Sequence, residues 1–229
     1  MKTTKRSKAR EAILITLGLL MIFSAASLFI YNTWDDNRAS QAGFEASQVI
    51  ASAIGNAQAD ASAQPVIPGL TPGLVADQLA ADAENQTEHS VTVNNVDYIG
   101  MISIPSLGLS NLPVTDEWNY PNLKTALCRY VGTIADNNIV IAAHNYAKFF
   151  GNINKLMAGD AVVFTDAAGV DHHYAVALVE TLQPTDIDKM TDSGYALTLF
   201  TCTYGGKSRV TVRCVAADQD TQGQVSAVS

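Results

Sequence analysis

The chain has 229 residues, of which 48% are hydrophobic and 16% are charged, and its formal net charge is −8 at pH 7. Beyond residue 31, nine Lys and Arg side chains stand against 21 Asp and Glu side chains, a balance of −12. Such an acidic segment excludes nucleic acid and an anionic membrane surface as its partners, because both would be repelled.

The N-terminus is basic and then apolar. Five Lys and Arg residues lie within residues 1–11, and an uncharged apolar run follows from Ala12 to Tyr31. A helix of that length matches the roughly 20 residues that cross a bilayer. We therefore predict a cytoplasmic tail over 1–11, a single transmembrane anchor over 12–31 and an extracellular remainder. A cleaved signal peptide is the alternative, but its apolar region would be longer than usual.

Residues 32–95 are rich in Ala, Gln, Asp and Ser, with Pro and Gly clustered between positions 65 and 73. We interpret this segment as an extracellular stalk or linker, in which Ala42–Ala59 could form a helix that continues from the membrane. From about Ser90 the pattern changes to short β-type runs separated by turn signals. The predicted strands are Tyr98–Ile104, Leu107–Val114, Ala126–Tyr130, Asn138–Ala143, Ala161–Thr165, His173–Thr181, Ala196–Thr203 and Arg209–Ala216.

These runs predict an all-β domain over 96–217, built as a closed barrel or a sandwich. Only Phe149–Met157 looks helical, and a polar tail follows over 218–229. The three cysteines are an odd number, so at least one thiol stays free within a single chain. A disulfide between Cys128 and Cys214 remains open, as does the alternative that both are buried thiols.

The stretch TLFTCTYGGKSR, residues 198–209, places a cysteine and an arginine on either side of a Gly-Gly pair. If Gly205 and Gly206 form a two-residue hairpin turn, Cys202 pairs directly with Arg209 across two antiparallel strands. Side chains at such positions are roughly 4.5 to 5.5 Å apart at Cβ. A thiol beside a permanent cation is a candidate nucleophile, although a buried structural cysteine is the competing interpretation.

A thiol nucleophile needs a proton-transfer partner, and histidine serves best near neutral pH. His144 directly follows the unbroken apolar strand that ends at Ala143, where a barrel exposes functional side chains at its mouth. A zinc site built from His144, Cys202, His172 and His173 is the alternative. Their spacing fits no compact ligand motif, and Arg209 would repel a dication, so we predict neither a metal nor another cofactor.

At these residues the chain resembles the sortase family. TLFTC, residues 198–202, matches the TLxTC signature of sortases, and IVIAAHN, residues 139–145, resembles the strand that ends at their histidine. Arg209 in SRVTVRC stands where the family has its arginine. The resemblance covers roughly Tyr98–Ala216 and implies a closed eight-stranded β-barrel with one or two short helices. It also implies a membrane-anchored cysteine transpeptidase of a Gram-positive-type cell surface.

The resemblance assigns three catalytic roles. Cys202 would attack the Thr carbonyl of an LPxTG-like sorting signal and form a thioacyl enzyme. His144 would protonate the leaving amine and then deprotonate the incoming one, and Arg209 would orient the substrate or hold the oxyanion. The implied partners are sorting-signal peptides of secreted surface proteins and a peptidoglycan precursor or other amine acceptor.

The groove residues are less sharply indicated. The longest late connection, Thr181–Ala196, resembles the family loop that lines the signal-peptide groove, or else is a plain surface loop. The candidate substrate-binding residues are Thr201, Asn145, Thr185 and Ile187. The sortase class stays open between A or D and B. A non-catalytic, membrane-tethered β-barrel that binds surface peptides is the alternative function.

Overall fold

The structure is a computed structural model that describes residues 3–62 and 89–217. The predicted Pro and Gly spacer around positions 65–73 and the C-terminal tail over 218–229 lie outside the described residues. The chain divides into two compact units, Met1–Ala39 and Ser40–Ser229.

The first unit is formed by the start of one long helix, α1, which runs over Thr3–Ser62. Its segment Glu11–Asp35 is long and apolar enough to cross a membrane, and none of that segment is buried within the protein. The predicted anchor over 12–31 falls inside this segment. Exposed Leu, Ile and Phe side chains on all sides of a helix are typical of a lipid-facing element.

In the second unit, the remainder of α1 packs on the β-domain. Ala46, Ile50 and Ile54 recur every four residues, which places them on one helix face, and all three are buried against Tyr98 and its neighbours Met101 and Ala126. Gly43 allows the close approach, since a Cβ there would lie 3.1 Å from the Thr125 carbonyl oxygen.

Over residues 89–217 the second unit contains nine strands and two short α-helices, together with 3₁₀ turns at Pro105–Leu107 and Ile153–Lys155. The strands are β1 (Val91–Val93), β2 (Val96–Ile104), β3 (Leu109–Thr115), β4 (Leu127–Val131), β5 (Ile139–Ala143), β6 (Ala161–Asp166), β7 (Asp171–Leu182), β8 (Leu197–Cys202) and β9 (Arg209–Ala216). The helices are α2 (Tyr120–Leu123) and α3 (Ile187–Thr191).

Strands β2 to β9 close into a barrel. The hydrogen-bonded order is β1-β2-β3-β4-β5-β8-β9-β7-β6, and β6 also pairs with β2. The pairs β3–β4 and β5–β8 are parallel, and the others are antiparallel. The predicted closed eight-stranded barrel is confirmed, and β1 is a short addition outside the closed ring.

The barrel wall is buried on both faces around β5, which explains why that strand is apolar without alternation. One face of β5 carries Ile139 and Ile141, which are fully buried with Leu197 and Leu199 of β8. The opposite face carries Val140 and Ala142, which belong to a second cluster. Its members are Leu123, Cys128, Val140, Ala142, Leu182, Met190 and Phe200, with Tyr130 packed against them.

The helix predicted over Phe149–Met157 is wrong. That segment forms turns and a single 3₁₀ turn over Ile153–Lys155. Gly151 interrupts the helical pattern, because glycine is a poor helix former and approaches the chain before it too closely for a Cβ. Phe149, Phe150 and Ile153 are nevertheless buried, so the apolar residues that suggested a helix anchor a loop.

Candidate active site

The parallel pair β5–β8 brings together two residues that are far apart in sequence. Ala143 pairs with Thr201, and the Thr201 hydroxyl donates a hydrogen bond of 2.8 Å to the Ala143 carbonyl oxygen. Both strands therefore end at the same edge of the barrel. His144 is the next residue after β5, and Cys202 is the last residue of β8. Parallel neighbours lie about 4.8 Å apart, so the strand ends hold the two residues side by side.

The β8–β9 hairpin places Arg209 opposite Cys202, as predicted. The next pair outward is closed by a bond of 2.9 Å from the Thr203 amide to the Ser208 carbonyl oxygen. Because hydrogen-bonded and non-hydrogen-bonded pairs alternate in an antiparallel ladder, Cys202 and Arg209 form a non-hydrogen-bonded pair. Side chains in such pairs come closer together than in the hydrogen-bonded kind.

The predicted two-residue Gly-Gly turn is wrong, although the register that it implied is right. The Gly206 amide bonds to the Thr203 carbonyl oxygen at 2.8 Å, which centres the turn on Tyr204 and Gly205. The Thr203 hydroxyl accepts from the Ser208 amide at 3.1 Å and so replaces a backbone ladder bond. Both glycines have positive φ, 79° at Gly205 and 72° at Gly206, which lets the chain reverse early.

Arg209 is held by its own hairpin. One guanidinium nitrogen, Nη1, donates to the carbonyl oxygens of Gly206 at 3.2 Å and Ser208 at 3.1 Å. Within residues 3–62 and 89–217, these are the hydrogen-bond acceptors of the guanidinium. The Nε and Nη2 donors therefore remain available in a fixed fork, the geometry that suits a carbonyl oxygen or an oxyanion.

His144 is positioned by the loop that follows β5. Its ring lies 5.0 Å from the ring of Tyr146, which in turn lies 5.9 Å from the ring of Phe149. The Phe150 amide bonds to the His144 carbonyl oxygen at 3.3 Å and closes the loop. A Cβ at Gly151 would lie 2.6 Å from the Asn145 carbonyl oxygen, so the tight loop requires glycine there.

His144, Cys202 and Arg209 line one cleft of about 350 Å³. Its floor comes from β5 and β8, one wall from α2 and β4, and the other from the connection that carries α3. The remaining lining residues are Trp118, Tyr120, Leu123, Tyr130, Ala142, Ala143, Pro184, Ile187, Met190 and Phe200. No carboxylate is among these described lining residues, which contrasts with the acidic chain as a whole.

The candidate substrate-binding residues occupy different places. Ile187 lies on α3, lines the cleft and is 51% exposed. Thr201 is buried, and its hydroxyl bonds to Ala143 at the joint between β5 and β8. Asn145 and Thr185 are exposed and, within the part of the chain that the structure describes, do not line the cleft.

The three cysteines are free thiols in different surroundings. Cys202 is half-buried at the cleft. Cys128 packs in the second cluster, on the face of the wall that carries Val140 and Ala142, whereas Cys214 pairs with Leu197 on the opposite face. The barrel wall therefore separates the two, and they cannot form a disulfide. Burial raises the pKa of the Cys128 thiol, and it raises the pKa of Cys214 to about 12. Both are therefore protonated and unreactive at neutral pH.

Sequence reasoning missed the aromatic wall. Trp118 contacts Tyr130 edge-on at a ring distance of 6.0 Å, and Tyr130 contacts Phe200 in the same way at 5.4 Å. Tyr120, on α2, lies 5.7 Å from Trp118. The segment Asn119-Tyr120-Pro121 does carry a local signal, since Asn119 caps α2 by accepting from the Asn122 amide and Pro121 is near its start.

His172 and His173, near the β6–β7 turn, are not among the described residues that line the cleft. His172 lies 2.9 Å from Asp166 across that turn. Burial acts to raise the pKa of Asp166, but hydrogen bonds from His172 and from the Val170 and Ala168 amides outweigh it and lower that pKa. Among residues 3–62 and 89–217, no three His, Cys, Asp or Glu side chains group in a way that could hold a metal ion.

Several solved structures resemble the chain. A sortase D5 transpeptidase of Clostridium perfringens shares 22% identity at a TM-score of 0.47, covering 62% of this chain and 88% of that one. Sortase C of Clostridium perfringens SM101 shares 26% identity at a TM-score of 0.45, covering 66% of this chain and 93% of that one. A lid mutant of sortase A from Corynebacterium diphtheriae shares 21% identity at a TM-score of 0.48, covering 77% of this chain and 97% of that one. Among the curated proteins nothing matches the chain.

The family assignment comes from the sequence itself. The family model of the Sortase domain matches residues 102–217, which is about half of the chain and contains His144, Cys202 and Arg209. The match begins within β2 and ends just after β9, so it coincides with the closed barrel. The chain therefore belongs to the sortase family and is a sortase-type transpeptidase.

Proposed function

We propose that the protein cleaves an LPxTG-like sorting signal of secreted surface proteins and joins the new carboxyl end to a cell-wall amine. The acceptor would be a peptidoglycan precursor or another amine of a Gram-positive-type surface. One observation carries the proposal: a half-buried thiol, a histidine and an arginine fork line a single cleft at the joined ends of β5, β8 and β9.

In the first half-reaction, the Cys202 sulfur attacks the carbonyl carbon of the signal's Thr. The negative charge that develops on the carbonyl oxygen is stabilised by the free donors of Arg209, a charge-assisted interaction. The bond from Thr to Gly breaks, and His144 donates a proton to the leaving amine. A thioester to Cys202 remains, which conserves the energy of the peptide bond where no ATP is available.

In the second half-reaction, the acceptor amine attacks the thioester carbonyl. His144 now accepts the amine proton, and collapse of the tetrahedral intermediate releases the Cys202 sulfur and forms a new amide bond. Water competes with the amine, so a cleft with apolar walls favours transfer over hydrolysis. Trp118, Tyr130 and Met190 supply such walls here.

The cleft also suits the proposed peptide. The four fixed residues of an LPxTG-like signal, Leu, Pro, Thr and Gly, carry no side-chain charge, and apart from His144, Cys202 and Arg209 the cleft is lined by apolar and aromatic residues. Ile187 and Met190 on one wall and Phe200 on the floor offer a surface for the Leu and Pro side chains. Asn145 and Thr185 stay candidate contacts for substrate that extends beyond the cleft.

The proposed topology has a single membrane crossing. The basic tail over 1–11 would lie in the cytoplasm and the barrel outside the cell, because positive charges flanking a first helix favour the inner side. The apolar segment Glu11–Asp35 supports the anchor. This arrangement places the cleft in the compartment that holds both the exported signal and the wall.

Trapping the intermediate tests this function. The full chain in detergent micelles is incubated with an LPxTG-containing peptide and a small amine nucleophile, and intact-mass and peptide-mapping spectra are recorded. We expect an acyl adduct on Cys202 with wild type, a peptide–amine product, and neither with Cys202→Ala. Equal product from both proteins, with no adduct, would refute the transpeptidase mechanism and favour a peptide-binding barrel in which Cys202 is structural.

A further inference from the structure

A second arginine lies on the same strand face as Arg209. Arg213 is four residues further along β9 and, among the described residues, has the largest fully buried side chain, at 2% exposure. Residues i and i+4 of a strand share one face, so both arginines lie on the cleft side of the wall. Arg213 is nevertheless not among the described residues that line the cleft.

Arg213 connects three elements through its guanidinium. Nε donates to Glu180 Oε1 on β7 at 2.8 Å, and Nη1 donates to Thr198 Oγ1 on β8 at 3.1 Å. The other bonds reach α3: Nη1 donates to the Met190 carbonyl oxygen at 3.2 Å and Nη2 to that of Lys189 at 2.6 Å. The group also lies 5.9 Å from the ring of Tyr195, just before β8.

The contact with α3 meets a specific need of that helix. α3 has five residues, too few to be stable by itself, and the last four carbonyl groups of any helix lack partners within it. Arg213 donates hydrogen bonds to two of these carbonyl groups, those of Lys189 and Met190. It also places a positive charge near the C-terminus of the helix, where the helix dipole favours a cation. Met190 is the one buried residue of α3 and attaches the helix to the barrel by apolar contacts. The hydrogen bonds from Arg213 are the polar attachment of α3 to the barrel.

Two residues of α3 line the cleft, Ile187 and Met190. We propose that Arg213 is a positioning residue that holds α3 as the rigid wall of the peptide groove, from behind and without touching the peptide. This proposal rests on the proposed function, because the peptide that occupies the groove is taken to be the sorting signal. A purely structural role is the alternative, in which Arg213 stabilises the barrel through its ion pair with Glu180 and has no effect on the peptide groove.

Kinetics with the full chain in detergent micelles separates these roles. Arg213→Met removes all the donors but keeps much of the volume. We expect its KM for an LPxTG-containing peptide to rise roughly 10- to 100-fold because the wall is displaced. We expect kcat at saturation and the rate of Cys202 alkylation by iodoacetamide to stay within about threefold, since the thiol, His144 and Arg209 are not displaced. An unchanged KM in a folded variant would overturn the proposal.

Two further variants calibrate the result. Arg213→Lys keeps the charge near Glu180 but lacks the planar fork that reaches both α3 carbonyls, so its KM should lie between those of wild type and Arg213→Met. It also decides the matter if Arg213→Met does not fold. Arg129→Met is the matched control, because Arg129 also forms an ion pair with a carboxylate, Asp116, but lies on β4. Its KM should be that of wild type, and a rise equal to that of Arg213→Met would count against a specific role.

Hydrogen exchange tests the positioning without any turnover. In Arg213→Met and Arg213→Lys, amides over 187–194 should exchange at least about tenfold faster than in wild type, while those of β8 and β9 stay protected. If wild type shows no transpeptidation but this pattern holds, the proposed function fails and the positioning role stands. If exchange over 187–194 is the same in the folded variants and wild type, Arg213 does not position α3.

Discussion

Two arginines on the cleft side of β9 serve opposite purposes. At the turn, Arg209 is half-buried, bonds only to carbonyls of its own hairpin among the described residues, and keeps donors free. Four residues further along the strand, Arg213 is fully buried and directs every group of its fork to Glu180, Thr198 or α3. An unsaturated fork suits chemistry on a passing substrate, whereas a saturated one suits construction of the groove.

The largest effect is expected beside the turn, from loss of the proposed nucleophile, Cys202. Cys202→Ala should reduce kcat/KM for peptide cleavage by roughly 10⁴- to 10⁶-fold, as for other covalent catalysts. The melting temperature should stay within a few degrees, because only a half-buried sulfur is removed. A fluorescence-quenched signal peptide and a thermal scan measure the two quantities. Residual activity near that of wild type would remove Cys202 from the chemistry.

Arg209→Lys should come next. A lysine keeps the charge but loses the planar fork, so we expect kcat to fall about 10²-fold with stability retained. The kcat of Arg209→Met should fall at least as far. If Arg209→Lys keeps full activity, the free donors of Arg209 have no role in the mechanism, and the contrast between the two arginines no longer includes catalysis.

The effects on stability should have the opposite order, with the larger loss at Arg213 and the smaller at Arg209. Arg213→Met is expected to lower the free energy of unfolding by about 3 kcal/mol, because Glu180 and two helix carbonyls lose a buried partner. Arg209→Met should change it by less than about 1 kcal/mol, since its acceptors can bond to water. Denaturant titrations of the two variants measure this directly. Equal losses would show that the two arginines are not divided between catalysis and structure.

The cysteines extend the comparison to pH. At pH 8 in the folded protein, we expect iodoacetamide to modify Cys202 alone, with Cys128 and Cys214 reacting only after unfolding. The unfolded chain ionises Cys214 near its ordinary pKa of 9.0, but the folded chain does so at about 12. Stability from this group is therefore complete below pH 9 and is lost as pH rises from 9 towards 12. Peptide mapping and a pH series of melts check both statements.

The smallest effect concerns the turn itself. A Cβ at Gly206 would meet no atom within 4 Å, so Gly206→Ala introduces only the strain of a left-handed residue at φ 72°, about 1 kcal/mol. We expect kcat to fall a few-fold, because the Gly206 carbonyl helps to hold Arg209. Gly55→Ala, also without a contact but inside α1, is the control and should stabilise the protein slightly. An equal fall in kcat in Gly206→Ala and Gly55→Ala would exclude strain in the turn as the cause.

How far the sequence predicts this site depends on the distance between the partners. The pairing of Cys202 with Arg209 follows from counting along one hairpin, and it holds even though the turn differs, because the four-residue loop keeps Thr203 opposite Ser208. The position of His144 at a strand end follows from the apolar run before it. The structure adds the parallel pairing with β8, which no local pattern encodes.

The role of Arg213 illustrates what could not be predicted. Read locally, RVTVR is an alternating strand in which an arginine faces solvent. Its partners lie 15, 23, 24 and 33 positions away, so only the closed barrel and the folded connection reveal that the residue is buried. The contact between the aromatic wall and the floor is similar, since Trp118 and Tyr130 meet Phe200 only after three separate segments have packed together.

The bond between Thr201 and Ala143 has a consequence for how such a protein can diverge. It joins residues 58 positions apart, and the intervening chain carries Pro184, Ile187 and Met190, which shape one side of the groove. Insertions, deletions or exchanges within that long crossover can remodel what the enzyme accepts while His144 and Cys202 stay attached to the two strand ends. We therefore expect reaction and selectivity to be encoded in separable parts of the chain, so that transplanting the 183–195 segment between relatives transfers substrate preference without rebuilding the site at His144 and Cys202.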